Sequence, residues 1–216
     1  MNVSKEHLSV LVFARNCGER YFAEYFGKHG FYFNEKPLNQ FNFAVVRNDL
    51  KDYDHLSKIL CIDNPYRIIY SEFIRTSKEN WKKKNFSIDQ KRKEFSKWFD
   101  SVFYNDFDYV KNHNFPVSLS FLKIKDLVDI NFDFVVKKDT YYDDLKRLPF
   151  FDEAKLSSKL EFLIKSDTSY QLVLNEAQAK RIFTYFRPFF DKFGYDPFSF
   201  TNVELTKQEK VNFIHR

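Results

Sequence analysis

The stretch LSVLVFA, Leu8 to Ala14, is a nearly continuous apolar run that ends in a short polar turn. An amphipathic helix pattern, RYFAEYFGKHGF, starts directly after it. An apolar run without alternation is the pattern of a strand covered on both faces. A strand that passes through a tight turn into a helix is the opening unit of an α/β fold. In that helix Tyr21, Phe22, Tyr25 and Phe26 share one stripe, and Gly27 or Gly30 is placed to end it.

The same alternation continues along the chain. FNFAVV (Phe41 to Val46), KILCID and FDFVVKK (Phe132 to Lys138) read as further strands. NPYRIIYSEFIRTS begins a helix, with Asn64 as N-cap and Pro65 as first helical residue. SIDQ (Ser87 to Gln90) and NEAQ (Asn175 to Gln178) are capping boxes that open two more helices. YYDDLKRL reads as another helix, and the last long one carries Pro188 as a kink and Gly194 as its stop. The expected fold is α/β: a three-layer arrangement with a mostly parallel sheet flanked by helices. Without a repeat, a low-complexity tract or a Pro/Gly-rich linker, residues 1–216 are expected to form a single domain.

Composition limits the function classes. Of the residues, 44% are hydrophobic and 30% charged, which fits a folded chain rather than a disordered one. The 28 phenylalanines predict a Phe-rich core. No apolar stretch reaches the length of a membrane span, so no membrane partner is expected and a cytoplasmic protein is. Two cysteines, Cys17 and Cys61, make no disulfide framework and are expected as free thiols. A net charge of +5 suits an anionic ligand without requiring nucleic acid.

Three segments carry chemistry. The turn Arg15, Asn16, Cys17, Gly18, Glu19, Arg20 and Tyr21 aims backbone N–H groups and a helix dipole at one spot, and Gly18 permits close approach of a phosphate. It has no Walker pattern, so an ordinary NTPase is not indicated. On the helix that follows Asn64, steps of four residues set Arg67, Ser71 and Arg75 along one ridge, two guanidinium groups flanking a hydroxyl. The alternative for this ridge is a solvated face, with Arg67 paired to Asp63 and Arg75 to Glu72 or Glu79. The third segment, ENWKKKNFSIDQKRKEFSKWF, interleaves bases and aromatics, but its aromatics fall on a core stripe; a solvated amphipathic helix explains it better than nucleic acid. Histidines are sparse, and no His/Cys/Asp spacing resembles a metal site.

In order and spacing, four stretches together resemble the PAPS-dependent carbohydrate sulfotransferases (PAPS is 3′-phosphoadenosine 5′-phosphosulfate). ARNCGERYFAEYF is similar to their 5′-phosphosulfate loop, near P-K-x-G-T-[ST]. ILCIDNPYRIIYSEF resembles their 3′-phosphate motif, near V-R-N-P-Y-x-R-x-x-S. DFVVKKDTYYDDLKRL and IFTYFRPFFDKFGYDPFSF resemble two later family stretches. The chain departs from the pattern: Asn16 stands at the loop lysine, Glu19 and Arg20 at its hydroxyl residues, and Asp63 at the leading arginine, with the second arginine displaced to Arg67. The resemblance implies a P-loop-like sulfotransferase fold and transfer of a sulfuryl group from PAPS to a hydroxyl or amine of a glycan. It implies cofactor contacts from Arg15 through Tyr21 and from Asn64, Arg67, Ser71 and Arg75. It places the base between the second and third strands, at His55, with Glu19 and Asp54 as other carriers of that role. The alternative is a catalytically inactive relative serving as a binding or structural module.

Overall fold

The computed structural model describes residues 2–14, 16–38, 53–76, 86–103, 127–156 and 169–215. In chain order the elements are β1 (Asn2–Ser4), β2 (Ser9–Phe13), α1 (Glu19–Lys28), β3 (Tyr32–Phe33), β4 (Lys36–Pro37), β5 (Ser57–Ile62), α2 (Pro65–Thr76), α3 (Ile88–Phe103), β6 (Phe134–Lys137), α4 (Tyr141–Lys146), α5 (Ser169–Val173), α6 (Glu176–Phe193) and α7 (Lys207–His215). The chain divides into two compact units, the first formed by 1–64 with 126–167, the second by 65–125 with 168–216.

The first unit is α/β, built on a six-stranded sheet in the order β4-β3-β1-β2-β5-β6. The strands expected from LSVLVFA, KILCID and FDFVVKK are β2, β5 and β6, and they are parallel neighbours. The expectation of a mostly parallel sheet is corrected, because β1, β3 and β4 extend it with antiparallel pairings and the sheet is mixed. The reason is local. Residues 2–13 fold back as a hairpin that pairs Asn2 with Leu11 and Ser4 with Ser9. Asn34 and Glu35 both adopt positive φ, the backbone of a tight two-residue hairpin turn between β3 and β4. The strand expected at Phe41 to Val46 lies outside the described residues.

All five residues of β2 are buried, as the unalternating run requires. α1 buries Phe22, Ala23, Tyr25 and Phe26. Phe26 meets Phe31 edge-on at 5.2 Å, and His7 stacks on Phe150 at 4.2 Å.

The second unit is helical. Its core is phenylalanine: Phe73 against Phe95 at 5.2 Å, Phe99 stacked on Phe103 at 4.3 Å, Phe183 against Phe190 at 5.4 Å. Both capping boxes form. The Gln90 N–H donates to Ser87 Oγ and the Ser87 N–H to Gln90 Oε1, at 3.3 and 2.9 Å. Asn175 and Gln178 make the same reciprocal pair. α6 runs through Pro188 and ends at Gly194, whose φ of 63° is left-handed. α3 buries Phe95, Phe99, Val102 and Phe103 and turns Arg92, Lys93 and Lys97 to solvent, an amphipathic helix as its spacing predicts. Among the described residues no helix is long and apolar enough to cross a membrane.

Candidate functional site

Parallel pairing decides what the first unit brings together. β2 and β5 run side by side with Phe13 opposite Cys61, and the Ala14 N–H continues the ladder to the Cys61 carbonyl at 2.9 Å. β6 lies on the other side of β5, with Ile62 opposite Lys137. The turn after β2, the Asp63–Asn64 segment after β5 and Lys138 after β6 therefore share one edge, the carboxyl ends of three parallel strands. Ligands of open α/β sheets bind at that edge.

The turn itself has a particular backbone. Asn16 and Gly18 both have positive φ, 62° and 87°. Gly18 is the N-cap of α1, and a side chain there would be strained by that φ. A Cβ at Gly18 would make ordinary contacts with Phe22 and the Lys138 stem, at 3.9 and 4.0 Å, so the left-handed φ rather than crowding is what favours glycine there. Glu19 is the first residue of α1 and is partly buried; Arg20 is exposed and Tyr21 partly buried. Arg15 lies outside the described residues.

Behind the turn is a buried polar cluster. The Asp63 carboxylate is fully buried, accepts the Asn64 N–H at 2.7 Å and lies 3.2 Å from Lys138 Nζ, whose side chain is 8% exposed. Cys17 and Cys61 are free and fully buried. Burial pushes the Cys17 thiol well above its ordinary value; the negative charges of Glu19 and Asp63 add to this, and Lys138 acts against it. Burial does the same to Cys61, with Asp144 adding to it. Neither thiol is a nucleophile in this state. Asp144, at the start of α4, accepts the Lys137 N–H at 2.9 Å and the Thr140 hydroxyl at 2.7 Å. That bracing holds the one-turn 3-10 segment 138–140 against the end of β6 and so places Lys138.

His55 is not part of this edge. It is exposed and precedes β5, on the side where the Ser57 N–H donates to the Leu8 carbonyl and Asp133 accepts the Lys58 N–H. The length of β5, about 20 Å at the rise of a strand, separates it from Asp63. Asp54 lies on the same side, paired with Lys58 at 2.7 Å.

The ridge residues Arg67, Ser71 and Arg75 are on α2, in the second unit. Arg67 is 5% exposed and lies over the Tyr170 ring at 5.5 Å. Arg75 donates to Glu72 through Nε at 3.0 Å and through a second guanidinium nitrogen. That bond to a fully buried carboxylate raises the Arg75 pKa. The pairing of Arg75 with Glu72 is the one its spacing offered as the alternative to a ligand grip. Ser71 is partly buried.

The residue that sequence reasoning missed is Lys138. The only available signal was its place directly after an apolar strand, in a KKD triplet that reads equally as a solvated turn. Comparison with protein-family models, with characterised proteins and with solved structures finds no match to this chain.

Proposed function

We propose that the first unit is a nucleotide-binding α/β unit and that the chain is a PAPS-dependent sulfotransferase, acting on a hydroxyl or amine of a carbohydrate. The observation that carries this reading is the parallel pairing of β2 with β5, which puts the turn 14–18 and Asp63–Asn64 on one edge. A left-handed Gly18 at the N-cap of α1 fits a small tetrahedral group bound by backbone N–H groups at the start of that helix. PAPS supplies an activated sulfuryl group; the protein's part is to position it and stabilise charge. Asn16, Cys17, Gly18 and the start of α1 hold the phosphosulfate through backbone groups. Of the carboxylates at this edge Asp63 is paired with Lys138, so Glu19 is the one that accepts the acceptor's proton, since His55 lies at the other end of β5. Free, buried thiols suit a reducing cytoplasmic setting.

A second reading, a module that binds without transferring, is favoured by one observation: the edge's buried ammonium is already neutralised by Asp63. Calorimetric titration with adenosine 3′,5′-bisphosphate at fixed salt, followed by transfer from radiolabelled PAPS to a glycan mixture, separates the two. Binding with label transfer supports the sulfotransferase. Binding without transfer supports the module, and no binding at millimolar nucleotide overturns both.

A further inference from the structure

The antiparallel extension of the sheet presents one face to solvent. Val3 on β1 stands opposite Tyr32 on β3, and Tyr32 pairs on its other side with Pro37. Asn2 and Ser4 are buried, whereas Tyr32 is 45% exposed. A cleft of about 670 Å³ lies here, lined by Val3, Lys5, Glu6, Tyr32, Asn34 and Glu35, with Gly30 between strand and helix. That volume is within the range of small-molecule sites, roughly 300–1,000 Å³. Glu6 stands at one end, its Oε2 3.1 Å from where a Cβ on Gly30 would be. Glu35 stands at the other, in the β3–β4 turn, with a left-handed φ of 63°. Glycine is what this turn position prefers, so the backbone is strained to hold a carboxylate there. From Gly30 to Asn34 the backbone spans roughly 13 Å at the rise of a strand. Among the described residues Lys5, Glu6 and Glu35 have no ion pair and Tyr32 has no ring partner.

We propose that this cleft binds a linear polyamine, with one ammonium at Glu6, another at Glu35 and the methylene chain over Val3 and the Tyr32 ring. Carboxylates at the two ends select a ligand whose positive charges are separated, and each ammonium donates charge-assisted hydrogen bonds. The exposed Tyr32 face attracts a cation and covers the apolar segments between charges. Lys5 repels a cation, so the lining's net negative charge is kept low and an unspecific cation gains little there. β1 runs antiparallel to β2, so Glu6 lies beside the start of β2, at the opposite end of that strand from the turn 14–18. The cleft is therefore independent of the proposed nucleotide edge.

The test is calorimetric titration of the full chain with spermidine at fixed salt, with putrescine and magnesium as comparison cations. Wild type is expected to bind spermidine saturably below millimolar concentration. Putrescine, too short to span the two carboxylates, is expected to bind more weakly, and magnesium at matched ionic strength is not expected to displace spermidine. Glu6→Gln and Glu35→Gln are each expected to weaken spermidine binding roughly fivefold, the upper range of an exposed ion pair. Tyr32→Ala is expected to weaken it as well, and Lys5→Met to tighten it. All four side chains are exposed, so the variants are expected to fold, which circular dichroism checks. Glu35→Gly separates a ligand role from a structural one, because it relieves the left-handed strain. It is expected to unfold at no lower urea concentration than wild type while binding spermidine as weakly as Glu35→Gln. An ordinary solvated face predicts no saturable binding, equal binding in every variant, or displacement by magnesium. Any of these overturns the proposal. Failure of adenosine 3′,5′-bisphosphate to bind would leave the polyamine cleft standing, and failure of spermidine would leave the nucleotide reading standing.

Discussion

Glu19 is the first residue of α1, where the helix dipole favours a carboxylate. It is also where an anionic ligand would sit, so the two compete. Replacing Glu19 with Thr is expected to strengthen binding of adenosine 3′,5′-bisphosphate by roughly 1 kcal/mol, read by titration at fixed salt; weaker binding would count against a ligand at this turn. His29 makes a different kind of statement. It is buried, and burial, with Lys155 and His7 adding to it, lowers its pKa to about 4, against the smaller opposing effects of Asp152 and Glu6. Lys155 Nζ stands 3.5 Å from its Nδ1. The folded pKa lies below the unfolded value of about 6.5, so the unfolded chain takes the proton first. His29 therefore contributes stability that is full above about pH 6.5 and is lost as pH falls toward about 4, up to roughly 3 kcal/mol. Urea denaturation at about pH 7 and about pH 4.5 measures that loss. His29→Phe is expected to lose less stability between the two, and an equal loss in both proteins would exclude His29 as its source.

At the scale of elements, α1 shows how a residue can be read for the wrong reason. The sequence offers Gly27 or Gly30 as its stop. The helix runs through Gly27 to Lys28, and Gly30 follows in a left-handed conformation. Gly27 serves packing instead, because a Cβ there would lie 1.8 Å from the Leu38 carbonyl oxygen. Helix propensity alone says that Gly27→Ala gains about 1 kcal/mol. The overlap with backbone says that it loses roughly 3 kcal/mol or more. Chemical denaturation of the variant decides the sign, and stabilisation would mean that Leu38 does not pass this close. The capping boxes at Ser87 and Asn175 were legible because capping chemistry is complete within four residues. The hairpin β3–β4 was not legible, since its turn is Asn34–Glu35 rather than Asn–Gly and each strand has two residues.

At the scale of the whole molecule, the first unit is organised around β2 and β5. β2 pairs with β1 on one side and β5 on the other, and every one of its residues is buried. Its amides, with those of Ile59 to Ile62, are expected to be the slowest to exchange hydrogen in the first unit, and those of β4 at the sheet edge among the fastest. Hydrogen-exchange mass spectrometry with peptides covering both segments tests this. Equal rates would show that the parallel pair is not the stable centre on which the binding edge depends.

The sequence by itself determined the elements that local chemistry specifies: the strands β2, β5 and β6, the helices that follow their caps, and the phenylalanine stripes that form the helical core. Those features depend on periodicity and on bonds within a few residues, which a linear reading can see. The tertiary structure alone decided that short antiparallel strands extend the sheet, that His55 stands at the opposite end of β5 from the turn, and that Gly27 yields to Leu38. It alone decided that Lys138 meets Asp63 across 75 positions of the chain. Burying an ammonium depends on whether a carboxylate arrives beside it, and strand order, not the residues flanking the lysine, makes that happen.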